Sequence, residues 1–183
     1  MFSTTNVINI NRHVYLYGSI PPPEEVAEEL SKWDSEWSYP NETVILHINS
    51  PGGSSSMMSA IIDRLTRIGN LYTVCEGDCM SAALFLYMLG QQRAAIPSSL
   101  FMAHGAVISS PQGAEDSVQN LHEYTAAVSA LSEQLLKDYL FSPKILSKKE
   151  LGELLVGKQL YFNYADATER GIVNSNIEDI PQR

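Results

Sequence analysis

An α/β fold built from parallel βαβ units is what this sequence predicts, on three observations. Short apolar runs alternate along the chain with amphipathic or wholly apolar helical patterns. The runs lack a clean polar alternation, as strands buried on both faces do. Glycine turns stand at their exits, at Gly18, at Gly52-Gly53 and at Gly77. The chain has 183 residues, of which 44% are hydrophobic and 18% charged. That supports one domain over 1–183 with a core of its own.

The elements follow in order. Residues 14–17 form a short strand ended by Gly18. Pro21-Pro22-Pro23 comes next; Pro23 suits a first helical position, where its missing N–H would be unpaired anyway. Glu24, Glu25, Glu28 and Glu29 suit the positive end of that helix. A polar stretch, 34–41, breaks the pattern before a fully buried strand at 44–48. Ser54, Ser55 and Ser56 serve as turn and capping residues for a helix whose face carries Met58, Ile61, Leu65 and Ile68, with Gly69 as its stop. Residues 71–75 are the next buried strand. Residues 82–89 are apolar all round, so that helix is buried, and Gly90 ends it. Residues 94–96 and 100–103 are strands about a Pro97-Ser98-Ser99 turn. From Ser117 onward, Leu121, Tyr124, Val128, Leu131 and Leu135 repeat on one side of a long helix, a stripe that must meet another helix or a partner subunit. Leu151, Leu154 and Leu155 mark a shorter helix, 166–170 a last helical turn and 171–173 a closing strand.

Charge and composition exclude several classes. A net charge of −9 argues against a nucleic-acid partner, which would need a basic stripe. No apolar run reaches membrane-spanning length, and the first residues lack the basic and apolar regions of a signal peptide, so no membrane association and a cytoplasmic location are expected. The two cysteines, Cys75 and Cys79, are too few for a disulfide framework or a zinc site and read as small core residues.

Three strand exits carry chemistry. Ser81 stands in Gly77-Asp78-Cys79-Met80-Ser81-Ala82-Ala83, where a strand gives way to a helix; His104 ends a later strand; Ser50-Pro51-Gly52-Gly53 ends an earlier one. Serine becomes a competent nucleophile when a base accepts its proton and fixed N–H groups hold the developing oxyanion. Ala82, at the start of the buried helix, offers one such N–H. Gly53 offers a second, because glycine lets the backbone approach a reacting atom. The bland alternatives are a helix-capping Ser81, a hydrogen-bonded core His104 and a plain glycine turn. His13, His47 and His122 read as structural. No G-x-S-x-G motif occurs, which disfavours an α/β-hydrolase.

Taken in order, these motifs resemble the proteolytic subunit of the Clp protease (ClpP), a serine peptidase family of the ClpP/crotonase fold. Ile48-Asn49-Ser50-Pro51-Gly52-Gly53 is similar to its signature loop. Gly77-Asp78-Cys79-Met80-Ser81 is similar to its nucleophile turn, and the run from Arg93 to His104 to the segment carrying its histidine. The resemblance implies a repeated ββα superhelix with a helical handle region at about 112–141, opening at Gln112-Gly113-Ala114-Glu115-Asp116. It implies Ser81 as nucleophile, His104 as base, and Gly53 and Ala82 as oxyanion donors. The family's third catalytic residue, an aspartate, falls on Gln159 here, an amide that can still hold an imidazole in one tautomer. A backbone carbonyl, Asp166 and Lys158 are the other candidates for that role. The segment before residue 14 is shorter than the family's axial loop and first helix, and 156–159 lacks the Arg–Asp pair that couples ring stacking to the site.

On this reading a peptide or unfolded protein lies extended between Gly52, Gly53 and Ser54 on one side and Gly105 and Ala106 on the other. Strand addition binds it, without metal or cofactor. Self-association into a ring, expected to be heptameric, is implied, with a AAA+ unfoldase or other ClpP subunits as partners. Two further readings are a non-catalytic ClpP-like subunit and a crotonase-like acyl-CoA enzyme.

Overall fold

The computed structural model describes residues 11–22, 43–105, 126–127, 129–131, 133–140, 142 and 144–181. Expectations for Pro23 and the glutamates after it, for 34–41, for Ala106, for the start of the handle at 112–116, and for Leu121, His122, Tyr124 and Val128 lie outside the described residues. The chain forms two compact units, one of 1–102 with 161–183 and one of 103–160.

In the first unit β1 (Asn11–Tyr17), β2 (Thr43–Ser50) and β3 (Asn70–Met80) run parallel, in the register Val14↔Leu46↔Thr73 and Leu16↔Ile48↔Cys75. The first half of β3 pairs with β4 (Gln92–Ala95) and its second half with β5 (Leu100–His104). The sheet order is β1-β2-β3-β5-β6, with β4 on β3 and β6 at Gln159–Asn163. The parallel ladder needs crossovers, and α1 (Ser55–Leu65) and α2 (Ala82–Met88) supply the two after β2 and β3.

Side chains alternate across the sheet, so both faces need cover. One face carries Val14, Leu16, Val44, Leu46, Ile48, Leu71 and Cys75, all buried, and α2 packs against its β2 and β3 strands. Ala82 to Tyr87 of α2 are buried in turn, as an all-apolar helix requires. Thr73, the polar residue on that face, donates its hydroxyl proton to the Tyr87 carbonyl at 2.8 Å. The Tyr87 hydroxyl donates to Ala94 O at 3.1 Å, and burial pushes its phenol well above the ordinary range. The opposite face gathers Ile45, Val74, Ala94 and Ile180, with Tyr72 and Ile177 against them. Continuous apolar runs, rather than alternating ones, are the consequence.

That second face also carries a polar network. His13 Nδ1 and His47 Nε2 are 2.8 Å apart, and His47 Nδ1 meets Glu76 Oε1 at 2.8 Å. Tyr17 donates its hydroxyl proton to the other Glu76 oxygen. Tyr15 stacks on His47 with ring centroids 4.7 Å apart. Both histidines are therefore tied into the sheet, which is the structural role read for them. Burial first, then the Glu76 hydrogen bond, pushes Tyr17 from 10.0 up to about 12. The folded value lies above the unfolded one, so an unfolded chain ionises first on raising pH. This contribution to stability is complete below pH 10 and is lost as pH rises through about 12. An ultraviolet phenolate titration should show Tyr17 ionising late, and Glu76→Gln should bring its midpoint down.

Three local expectations change. The helix after Gly53 ends at Leu65, not at Gly69, because Arg67 N–H and Ile68 N–H turn back to Arg64 O and Leu65 O in tightened turns. Ile68 therefore leaves the helical face. The 71–75 strand extends on to Met80. Residues 171–173 form no strand, because a side chain takes their carbonyls. Arg93 Nη2 donates to Gly171 O at 2.8 Å, Nε to Ile172 O at 2.8 Å and Nη1 to Gly90 O at 2.9 Å. Burial lowers the pKa of this guanidinium, which has carbonyls in place of a carboxylate. Arg93→Ala should cost on the order of 2 kcal/mol in urea unfolding, and Arg93→Lys should recover little because a point charge cannot serve the fork.

Downstream, α4 (Tyr164–Glu169) opens with an Asn163–Asp166 capping box. The second unit is built around Leu136, Leu140, Leu146 and Leu154, all fully buried. Its α3 (Lys148–Leu155) begins with a reciprocal Ser147–Glu150 capping box. No helix among the described residues is long and apolar enough to cross a membrane.

Candidate active site

The strand-to-helix junction at Ser81 begins with a bulge. Between Ile48↔Cys75 and Ser50↔Cys79, β2 advances two residues while β3 advances four. Asn49 fills the gap, its side-chain oxygen accepting the Asp78 N–H at 3.0 Å. Cys75 and Cys79 flank the bulge as buried free thiols, donating to Gly77 O and Ala83 O. Burial holds the Cys79 thiol far above its ordinary range, so it stays protonated and packs as a small core residue.

Ser81 follows with φ 53 and ψ −125, the one non-glycine residue with positive φ among those described. Such a conformation costs roughly 1–3 kcal/mol and persists only where neighbours over-determine it. Here Ser81 N–H donates to Met102 O at 2.8 Å, and Ser81 O accepts Leu84 N–H at 3.0 Å. The strain points the side chain out of the capping position: the hydroxyl makes no cap hydrogen bond. The capping alternative for Ser81 thus fails on geometry. The N–H of Ala82, first in its helix, has no intrahelical acceptor.

The Gly52-Gly53 loop lies against this turn. A Cβ on Gly52 would sit 2.8 Å from Ser81 Cβ and 3.0 Å from Ala82 N. The loop is pinned from behind. Buried Ser50 accepts the Gly52 N–H on its Oγ at 3.1 Å. Ile20 forms a parallel bridge with Gly53, donating its N–H to Gly52 O at 2.8 Å and accepting Ser54 N–H at 3.0 Å. Gly53 donates no hydrogen bond to any described residue. Ser54 caps α1, its Oγ accepting Met57 N–H at 3.2 Å. The structure thus gathers Gly52, Gly53, Ser54, Ser81 and Ala82 in one unit. Asn49, Ser50 and Ile20 hold them, and none of these stood out as a positioning residue in the sequence. The one available signal was that the first two adjoin the glycine pair.

His104 and Gly105 belong to the second unit, as does Gln159. His104 closes β5 and its Nδ1 meets the Gly105 carbonyl. A carbonyl only accepts, so in this contact Nδ1 is the donor. Gln159 opens β6 and is exposed. Of the alternative third residues, Asp166 spends its carboxylate on the Asn163 N–H at 3.4 Å. Lys158 pairs with Glu153 at 3.0 Å.

The family model and the curated relatives point to one family. The Clp protease family model matches residues 2–179. The chain is 39% identical over 70 residues to the ATP-dependent Clp protease proteolytic subunit 1 of Tropheryma whipplei (strain Twist), covering 37% of this chain and 34% of that protein. It is 39% identical over 72 residues to the subunit 1 protein of Bifidobacterium longum, covering 38% of this chain and 31% of that protein. Against the subunit 1 protein of Corynebacterium glutamicum it is 36% identical over 77 residues, covering 40% and 37%. The match thus spans about a third of the length of these curated relatives. Among solved structures it is similar in fold to a peptidase from Plasmodium falciparum, with a TM-score of 0.69 and 17% identity over 91% of this chain and 96% of that one. With a family match over nearly all of its length and the ClpP-like α/β fold, this chain belongs to the Clp protease family.

Proposed function

We propose that this chain is a serine endopeptidase working inside a ring of its own copies. The observation that carries the reading is Ser81: a strained serine with an uncapped hydroxyl, packed against a glycine loop whose Gly53 N–H has no acceptor among the described residues. Strain at a residue that a glycine would occupy more cheaply is the mark of a functional side chain.

In the proposed reaction Ser81 Oγ attacks the scissile carbonyl carbon while its proton passes to His104 Nε2. The carbonyl oxygen becomes an oxyanion held by the Gly53 and Ala82 N–H groups. Collapse breaks the C–N bond, and the leaving amine takes the proton from His104. Water then deacylates Ser81 with His104 again as base. β5, whose Met102 carbonyl receives the Ser81 N–H, runs on to His104, whose Nδ1 meets the Gly105 carbonyl, the backbone alternative to Gln159 for orienting the imidazole. The substrate lies extended along Gly52–Ser54 and Gly105–Ala106. A heptameric ring, a cytoplasmic location, and a AAA+ unfoldase or sister ClpP subunits as partners complete the proposal.

The test is hydrolysis of a short fluorogenic peptide by the assembled protein, with and without an active ClpP, alongside a titration with an acyl-CoA. Turnover by the chain alone supports the peptidase. Turnover only in the mixed particle supports the non-catalytic subunit, which the Gln159 amide favours, and acyl-CoA binding without hydrolysis supports the crotonase-like reading. Carboxylate loss from a triad costs about 10⁴-fold in turnover, so Gln159→Asp should raise kcat by at least about tenfold. An unchanged rate would remove Gln159 from the site.

A further inference from the structure

The triple proline run after β1 has no place in the mechanism so far. It follows directly on the residue that touches the glycine loop. Ile20 is 3% exposed and immediately precedes Pro21. Its N–H donates to Gly52 O at 2.8 Å, and its own carbonyl accepts the Ser54 N–H at 3.0 Å. The carbonyl of Gly52 and the N–H of Gly53 belong to one peptide group. That group is trans, since no cis bond occurs among the described residues, so its C=O and N–H point in opposite directions. The donor on Ile20 therefore aims the Gly53 N–H away from Ile20. A hydrogen bond to the carbonyl end of a peptide also polarises its N–H end and strengthens it as a donor.

From this geometry, and resting on the peptidase reading above, we infer that Ile20 is a positioning residue for the oxyanion site: its backbone, held extended by Pro21, fixes and polarises the Gly52–Gly53 peptide so that Gly53 N–H faces the reacting oxygen. The proline matters because a residue before proline is pushed out of the helical region into extended backbone. Extended backbone is what a parallel bridge demands of Ile20. Proline also lacks an N–H, so Pro21 cannot offer the loop a competing donor. Without the Ile20 contact nothing else described accepts or donates at this peptide, and a glycine pair with φ of 94 and 146 has the freedom to rotate it.

The experiment compares wild type, Ile20→Pro and Pro21→Gly. It measures kcat and KM on the fluorogenic peptide, affinity for a peptide boronate that mimics the tetrahedral oxyanion, and thermal midpoint. Ile20→Pro deletes the donor. It should lower kcat by about 10²-fold, the scale of one lost oxyanion donor, and weaken the boronate in parallel while KM moves little. Pro21→Gly keeps the Ile20 donor and acceptor, frees Ile20 and adds a competing N–H at position 21, so kcat should fall about two- to fivefold with KM unchanged. A structural role alone would lower the midpoint without separating kcat from KM. Should Ile20→Pro fail to fold, Pro21→Gly decides. An active wild type with Pro21→Gly at wild-type kcat and boronate affinity overturns the inference and leaves the peptidase reading standing. An inactive wild type overturns that reading first.

Discussion

Replacing Ser81 by alanine is expected to lower kcat on a fluorogenic peptide by about 10⁶-fold, the scale reached when a serine nucleophile is removed. It should also end labelling by a fluorophosphonate. The informative companion is Ser81→Gly. It too should be inactive, yet more stable than wild type, because glycine adopts φ 53 without the Cβ penalty that serine meets there. Part of that relief is offset by the greater freedom of glycine in the unfolded chain, leaving a gain on the order of 1 kcal/mol in urea unfolding. A serine retained only for structure predicts the opposite pattern: activity unchanged and stability lost. Retained hydrolysis in Ser81→Ala, or fluorophosphonate attached elsewhere, would reject Ser81 as nucleophile.

The second large effect is expected at Gly53. An added Cβ there would lie 2.2 Å from Ile20 O and 2.8 Å from Ile20 N, both backbone atoms that cannot swing aside. Gly53→Ala must therefore break the bridge to Ile20 and turn the peptide that carries the oxyanion donor. A loss of about 10²–10³-fold in kcat should follow, with destabilisation of roughly 1–3 kcal/mol from the displaced loop. Gly52→Ala should act from the other side. Its Cβ would meet Met80 O at 2.7 Å and Ser81 Cβ at 2.8 Å, so the loop and the nucleophile turn are driven apart. Steady-state kinetics together with denaturant midpoints separate the two components. Either variant at wild-type kcat would show that the loop plays no part in catalysis.

Much of the fold was legible because periodicity reports burial. The strands at 44–48 and 71–75 are mostly apolar on both faces and mostly buried in the sheet, and the apolar run that opens at Ala82 is buried from Ala82 to Tyr87 in the covering helix. Boundaries were less legible where long-range hydrogen bonds decide them. β3 runs past Cys75 to Met80 because β5 pairs with its second half. The 171–173 segment looks like a strand until Arg93, distant in sequence, takes its carbonyls.

The candidate site divides in the same way. Residue chemistry alone picked out a serine, a histidine and a glycine pair at strand exits, together with an apolar helix start beside the serine. Those choices follow from local rules: which side chains can carry a nucleophile or a base, and which residues open turns. What only the tertiary structure decided is the state of those groups. Ser81 is held in a conformation that local energetics oppose by a Met102 carbonyl on another strand, with the Gly52 backbone of the loop after β2 close beside it. The orientation of the Gly53 N–H is set by Ile20, more than thirty residues away along the chain. Local sequence encodes preferences worth a fraction of a kcal/mol to a few per residue. A strained serine and an aimed peptide exist because contacts between distant segments outweigh those preferences, and such contacts form only on folding.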